Sequence, residues 1–362
     1  MNFYDIWFST VKISNKIKIK LIKKFKTTEA IWKYCNGKEN HFSKMMEENK
    51  FKSSLINSWN KEKINNIGEI LIKEGISTIN YYDKLYPKKL RNFEDSPTIL
   101  FYKGNIEMLN NNKSVAIVGS RNHSYYGENV TRILASKLGE ENINVISGMA
   151  KGIDSFSHKS SLESGGYTCA VLGCGVDVIY PKVNKKLYYE IINKGCILSE
   201  FPPKTPPYAY NFPLRNRIIS GVSDLIVIVE ASEKSGSLIT ASYALEQGKD
   251  IMVVPGTIFS KTSKGTNKLI RDGAYPLTSV EDIFNILNIK YCSKEEKTPV
   301  FQREIEHKIY SNIKDRPIHI DDILKKTNVD IKQLYEVLFE LQLKNQITCL
   351  SGNYYVRIAN SV

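Results

Sequence analysis

The segment SVAIVGSRNHSYYGENVTRILASKLGEENINVISG, residues 114–148, decides the fold of this chain. It begins and ends with short, β-branched apolar runs that stop at a glycine, and a helical pattern lies between them. Because strands that alternate with helices form parallel sheets covered on both faces, the sequence predicts the α/β class. Further runs of this kind are YTCAVLG (167–173), LIVIVE (225–230) and DIMVVPG (250–256).

The regions before and after these strands differ in composition. Residues 1–80 are basic with helical spacing, so we expect a small helical domain there, followed by the sheet domain at 81–290. Within the latter, ILFYKG (99–104) is a further short strand. The polar segment YCSKEEKTPV predicts a linker at 291–300.

Residues 301–362 form a separate small unit in the pattern. Three helical segments precede ITCLSGNYYVRI, which indicates a hairpin that turns at Gly352, and this order predicts a winged helix. The third helical segment carries equal numbers of basic and acidic residues, whereas a helix that enters the major groove usually has an excess of basic residues. The pattern therefore favours protein contact over DNA reading; the charges are Lys332, Glu336, Glu340 and Lys344.

Composition narrows the class of protein. The net charge of +13 over 362 residues suits a polyanionic partner, although an excess of lysine along the whole chain is an equally good explanation. The chain has no apolar run of about 18 residues and no signal-peptide pattern, so we expect a cytoplasmic protein without a membrane span. The six cysteines form no C-x-x-C pair and the five histidines are scattered. We therefore expect buried thiols, no metal site and no cofactor.

Polar and glycine-rich turns follow the predicted strands. In parallel sheets, ligands bind beyond the carboxyl ends of the strands, where backbone N–H groups and helix N-termini favour anions. Neither the G-x-G-x-x-G nor the Walker A spacing is present, and several anion-friendly turns at one edge suggest a run of phosphates. The candidate DNA-binding residues at these turns are Gly119, Ser120, Arg121, Ser147, Gly148, Lys151, Lys182, Ser235, Gly236, Ser237, Lys264 and Asn267.

The stretch NFPLRNRIISG, residues 211–221, adds an aromatic ring and two guanidinium groups. Phe212 could stack on a base, while Arg215, Asn216 and Arg217 could hold phosphates or a base edge, since arginine binds both bidentately. A helix start with ordinary surface arginines is the other interpretation. Combined with the turns, the stretch favours single-stranded nucleic acid.

Catalytic patterns are weak. The sequence contains neither a G-x-S-x-G elbow nor an HExxH motif. Asp154, His158 and Glu230 could be arranged as acid–base groups, but capping, surface and core-edge roles are favoured, so we predict no catalytic residues.

The central region resembles the DNA-processing protein A (DprA/Smf) family from about Tyr86 to Ile283. The resemblance lies in VAIVGSR, SGMAKGIDSFSH, VLGCGVDVIYP, NFPLRNRIISG, EASEKSGSLITASYALEQGKDIMVVPG and KGTNKLIRDGA, in this order. It implies an extended Rossmann-like parallel sheet flanked by a helical N-terminal domain, of the SAM or helix-hairpin-helix kind, and a C-terminal winged helix.

The same resemblance implies a function. Members of the family bind single-stranded DNA without cutting it, protect incoming strands in natural transformation, load the RecA recombinase and usually form homodimers. It implies DNA contacts at Arg121, Phe212, Arg215 and Arg217, and further contacts at Lys182 and Ser235–Ser237. Some relatives have a lysine shortly before the Phe-Pro pair, whereas this chain has PPYAYN.

Two other functions remain open at this stage. The same sheet architecture occurs in nucleotide-binding enzymes similar to lysine-decarboxylase-like phosphoribohydrolases. Those enzymes carry PGG-x-GT, whereas this chain has VPGTIFSKTSKGTN in the comparable place. A pure protein-docking scaffold is the third interpretation, and it predicts negligible DNA affinity.

Overall fold

The N-terminal region is helical, as predicted. The computed structural model describes residues 2–36, 46–291, 301, 303–314, 316–344 and 346–358. Asn60 starts one of these helices, because its side chain accepts a hydrogen bond of 2.8 Å from the Lys63 amide. The helices of this region are α1 (Phe3–Thr10), α2 (Asn15–Phe25), α3 (Thr28–Asn36), α4 (Met46–Asn57) and α5 (Lys61–Lys73).

These helices share one hydrophobic core with the central sheet. Trp7 is fully buried, and its indole N–H donates to Ser58 Oγ at 2.9 Å. Apolar side chains of α1, α2 and α5 pack in the same cluster as residues of the strands. The helical region is therefore a layer on the sheet.

Among the described residues, nine strands form the central sheet in the order β1-β2-β6-β5-β4-β3-β7-β8-β9. The seven strands from β6 to β9 in this order pair in parallel, while β1 and β2 add an antiparallel edge. The strands are β1 (Ser77–Asn80), β2 (Ile99–Gly104), β3 (Ser114–Val118), β4 (Asn144–Ser147), β5 (Thr168–Val171), β6 (Cys196–Ser199), β7 (Leu225–Ile228), β8 (Asp250–Val253) and β9 (Tyr275–Pro276).

Helices cover both faces of the sheet, because successive strand residues point to opposite sides. Val115 and Ile117 pack in one cluster with α7 and α13, whereas Ala116 and Val118 pack in the other with α9, α10 and α11. The helices of this region are α6 (Met108–Asn111), α7 (Tyr125–Glu140), α8 (Ile153–Glu163), α9 (Lys185–Lys194), α10 (Asn211–Gly221), α11 (Ser237–Glu246), α12 (Lys264–Arg271) and α13 (Val280–Ile286), with 3-10 helices at Lys88–Asn92 and Lys182–Asn184.

The α/β prediction is confirmed, and the six strands predicted for the sheet are all present. Three further strands of the sheet, β1, β6 and β9, were not predicted. β1, at the end of the predicted helical domain, pairs with β2 and so belongs to the sheet. Of the predicted linker at 291–300, only Tyr291 is described, and its ring stacks on Phe284 at 4.1 Å.

The C-terminal unit has the predicted three helices and hairpin, with its own core. A short strand that pairs with the hairpin was not predicted. Gly352 lies in the turn with φ +80°. The elements are α14 (Glu304–Asn312), β10 (Ile318–His319), α15 (Ile320–Thr327), α16 (Ile331–Leu343), β11 (Ile347–Leu350) and β12 (Tyr354–Arg357).

The cysteines of the described residues are all free, and only Cys349 among them is exposed. Cys169 and Cys196 face each other on β5 and β6 as free thiols. Cys292 lies outside the described residues. Within the described part of the chain, every helix is too short or too polar to cross a bilayer.

Candidate nucleic-acid interface

A cavity lies at the point in the sheet where the order of the strands reverses. The chain moves outward from β3 through β4, β5 and β6, then returns to β7 on the other side of β3. Ligands in such sheets bind in the crevice at this switch point. A cavity of about 560 Å³ opens there, lined by Gly119–Arg121 after β3 and by Ser235–Ser237 at the start of α11.

Phe212, in the first turn of α10, forms one wall of the cavity. Its ring packs directly on Gly173, where an added Cβ would lie 2.9 Å from the ring carbon Cδ1. The Tyr180 ring lies beside it, with centroids 5.5 Å apart and planes tilted by 39°. Phe212 is half-buried and Tyr180 is exposed, so part of this aromatic surface is open to a ligand.

Two guanidinium groups flank the Phe212 ring. The Arg121 and Arg215 guanidinium carbons lie 5.9 and 6.0 Å from the ring centroid, at the outer limit for cation–π attraction. A second cavity of about 220 Å³ adjoins this cluster and is lined also by Gly148 and Lys151. The interface therefore combines aromatic and cationic groups along a continuous surface.

Arg215 differs from Arg121 because it is buried at the base of the cavity. Its guanidinium donates to the carbonyls of Gly148, at 2.9 Å, and Val171. Burial lowers the pKa of Arg215 to about 10, which the nearby Asp154 carboxylate partly opposes, so the group stays charged at neutral pH. Arg215 thus braces the ends of β4 and β5 and supplies positive charge to the cavity.

The other polar residues of the cavity are also held in place by the protein. Asn216 accepts from Arg215 Nε at 3.1 Å and donates to the Gly236 carbonyl at 3.3 Å. The hydroxyls of Ser235 and Ser237 are 2.8 Å apart. The α11 N-terminus that these serines frame lies at the cavity, as a phosphate seat requires.

The α7 N-terminus does not match its predicted role as an anion seat. The Glu230 carboxylate already occupies it, because it accepts from the Ser124 amide at 2.8 Å and from the Ser124 hydroxyl at 2.6 Å. A Cβ at Gly127 would lie 2.5 Å from this carboxylate. Glu230 is therefore the anion at this helix start.

Asp154 and His158 also have structural partners. Asp154 lies in the first turn of α8, where Gly152 is the N-cap, and its carboxylate accepts from the Ala150 amide at 3.4 Å. Asp154 is therefore not the N-cap of α8, and its carboxylate instead binds the loop that precedes the helix. His158 Nδ1 lies 2.6 Å from Thr168 Oγ1, and burial lowers the pKa of His158 to about 3.

Arg217 lies apart from the other predicted residues of α10. Its guanidinium lies 2.5 Å from the Glu200 carboxylate and 3.7 Å from that of Asp95, with 6% of the side chain exposed. It lines a separate cavity of about 190 Å³ with Lys18 of the helical region. Because residues two apart on a helix point to different sides, Arg217 cannot share the orientation of Arg215.

The remaining candidates lie outside the cavity. Ser147 is buried and donates to the Ile117 carbonyl at 2.6 Å. Asn267 braces Gly256, accepting from its amide at 3.2 Å and donating to its carbonyl at 2.9 Å. Lys182 and Lys264 are exposed and are not among the residues that line the cavity.

Sequence reasoning missed part of the lining. Tyr180 follows a predicted strand end, so its contact with Phe212 could have been inferred from the shared sheet edge. Pro207 and Ala209 lack polar groups, and only their position before α10 places them in the lining.

Fold and site together define a doubly wound α/β protein with an aromatic, cationic cavity at the switch point and a separate winged-helix domain. Residues 77–288 match the family model of DNA recombination-mediator protein A, and residues 296–353 match the DprA winged helix domain. The chain belongs to the DNA recombination-mediator protein A family, as the sequence motifs predicted.

Individual relatives agree with this assignment. The DNA processing protein DprA of Bacillus subtilis is 41% identical over 222 residues, which cover 60% of this chain and 75% of that protein. The X-ray structure of DprA from Streptococcus pneumoniae superposes with a TM-score of 0.67 and 30% identity, covering 81% of this chain and 99% of that one. The structure of DNA processing protein A from Helicobacter pylori, studied for its single-stranded DNA binding mode, superposes with a TM-score of 0.54 and 31% sequence identity. The match covers 59% of this chain and 95% of that one.

Proposed function

We propose that this chain binds single-stranded DNA in the switch-point cavity and acts as a recombination mediator. The observation that carries the proposal is the cluster of Phe212, Arg121 and Arg215 beside the α11 N-terminus. Aromatic platforms in a positively charged groove are how proteins hold unpaired strands with little sequence preference. The Helicobacter pylori relative, which has a single-stranded DNA binding mode, supports this choice of ligand.

The two arginines of the cavity differ in burial, and this difference assigns them different roles. Arg121 is exposed, so it is suited to pair with a phosphate, whereas the buried Arg215 provides fixed positive charge beneath the strand. The open part of the Phe212 ring stacks on a base. Gly148 and Lys151 extend the surface along the second cavity.

The cellular role is proposed from family membership. We infer that the protein protects incoming single strands and loads RecA onto them during DNA uptake and recombination, as a cytoplasmic homodimer. A mediator must hold the strand and then release it to a recombinase. A largely electrostatic site suits this exchange because phosphate contacts hold strands of any sequence.

A binding role is favoured over the nucleotide-processing alternative. The Glu230 carboxylate is engaged at the start of α7, and Asp154 accepts a backbone N–H at the base of the cavity. Both carboxylates thus have hydrogen-bond partners within the protein.

The winged-helix domain is proposed to contact protein. The outer face of α16 presents apolar side chains, and its two glutamates bind Arg303. The helix therefore lacks the excess of basic residues that is expected of a helix in the major groove. The exposed apolar residues are Ile331, Tyr335, Phe339 and Leu343.

Binding to single-stranded and duplex DNA of equal length, over a range of salt, tests the proposal. We expect a strong preference for the single strand and an affinity that falls steeply with salt. Equal affinity for both forms, or none for either, contradicts the proposal and directs attention to nucleotide turnover. A RecA filament-assembly assay on strands coated with single-strand-binding protein then tests loading.

A further inference from the structure

The short segment before α10 forms a rim of the switch-point cavity. Pro207 and Ala209 line the cavity, and the residues that alternate with them, Tyr208 and Tyr210, are 46% and 65% exposed. Their two rings are parallel within 7°, with centroids 5.4 Å apart. Two large aromatic side chains therefore pack on each other at the protein surface.

Backbone hydrogen bonds fix this rim. The Tyr208 amide donates to the Pro206 carbonyl at 2.8 Å, and the Asn211 amide donates to the Tyr208 carbonyl at 3.0 Å. Asn211 is buried at the start of α10, one residue before Phe212. Because the local backbone is hydrogen-bonded and the two rings already stack on each other, less side-chain freedom is lost when a base binds.

We propose that the two tyrosines extend the single-strand path beyond the cavity, stacking bases of the segment that leaves Phe212. The inference rests on the proposed function and adds a second stacking platform to it. Tyrosine suits this role because its ring is rigid and amphipathic, and every base has a face that can stack on it.

The surroundings of the rim fit a nucleic-acid strand. The loop after β5, which carries Tyr180, is joined to the rim loop by the Gly175 amide, which donates to the Thr205 carbonyl at 3.0 Å. Each of these loops also carries an exposed lysine, Lys182 and Lys204. Bases stacked on the rings would therefore have cations on neighbouring loops for their phosphates.

Stacking on uncharged rings has a signature that separates it from phosphate contacts. Loss of a phosphate contact lowers the salt slope of binding, whereas loss of a stacking contact lowers affinity at unchanged slope. The loss should also depend on strand length, because a short oligonucleotide occupies only the cavity. These two readouts identify the contribution of the rim.

The experiment measures binding of oligothymidylates from about 4 to about 16 nucleotides by fluorescence anisotropy. For the Tyr208→Ala/Tyr210→Ala variant we expect at least about tenfold weaker binding of the longest strand, an unchanged salt slope and little effect on the shortest. The Tyr208→Phe/Tyr210→Phe variant should bind like wild type because it keeps both rings. Tyr189→Ala is the matched control, because Tyr189 is 50% exposed on α9 and lies outside the cavity lining.

The possible results separate the two proposals. If wild type binds single strands and Phe212→Ala weakens binding, but the double Ala variant matches wild type at every length, the rim inference is overturned and the site proposal stands. A reduced salt slope in the double Ala variant also overturns stacking as the mechanism. If wild type has no affinity for single strands, both proposals fail.

Discussion

Replacement of Arg217 by alanine tests the distinction between the two arginines of α10. The Arg217 side chain is 6% exposed, and its guanidinium lies 2.5 Å from a Glu200 carboxylate that is 11% exposed. Alanine would leave Glu200 buried without its main counter-ion. Removal of one partner of a buried pair costs about 3–5 kcal/mol of the free energy of unfolding.

The expected loss lies at the lower end of that range. Glu200 keeps a hydrogen bond of 3.1 Å from the Asn15 side-chain amide, and the positive charge of Lys18 also acts in its vicinity. We therefore expect Arg217→Ala to lower the free energy of unfolding by about 3 kcal/mol. Urea denaturation followed by circular dichroism measures this change.

Glu200→Gln and the double variant Arg217→Ala/Glu200→Gln complete the cycle. Because glutamine carries no charge to leave uncompensated, the double variant should lose less stability than the sum of the two single changes. Single-strand affinity, measured below the unfolding transition, should stay within about twofold of wild type in all three variants, since the pair lies outside the switch-point cavity. Wild-type stability in Arg217→Ala, together with lower single-strand affinity and a smaller salt slope, would refute this reasoning.

Three further outcomes are expected. Arg121→Ala should weaken binding to all single-stranded sequences alike and reduce the salt slope by about one. A loss of affinity confined to strands that contain one particular base would contradict a phosphate contact. Phe212→Ala should cost about 1–3 kcal/mol of binding free energy, and unchanged affinity would contradict stacking. His158 is buried neutral with a pKa of about 3, so the unfolded chain binds its proton first as pH falls below the ordinary value near 6.5. Wild type should therefore lose about 2 kcal/mol of unfolding free energy between pH 7 and pH 5, a dependence that urea titrations of His158→Asn should lack.

Local sequence patterns predicted the elements of the fold. The β-branched runs at 114–118 and 225–228 and the turn at Gly352 were identified because strand spacing and turn chemistry act over a few residues. The ring of Phe212 and the turn at 119–121 were likewise identified as parts of one site. Motif order sufficed for the family, which the matching models confirm.

Tertiary structure alone decided which charged groups remain available to a ligand. Arg215 and Arg217 are equivalent in the sequence, yet one reaches the cavity and the other pairs with Glu200. Glu230 occupies the start of α7 although 106 residues separate it from Ser124. Such partners meet only because the strand order sets β7 beside β3, and the paths of the crossover connections leave no trace in local periodicity.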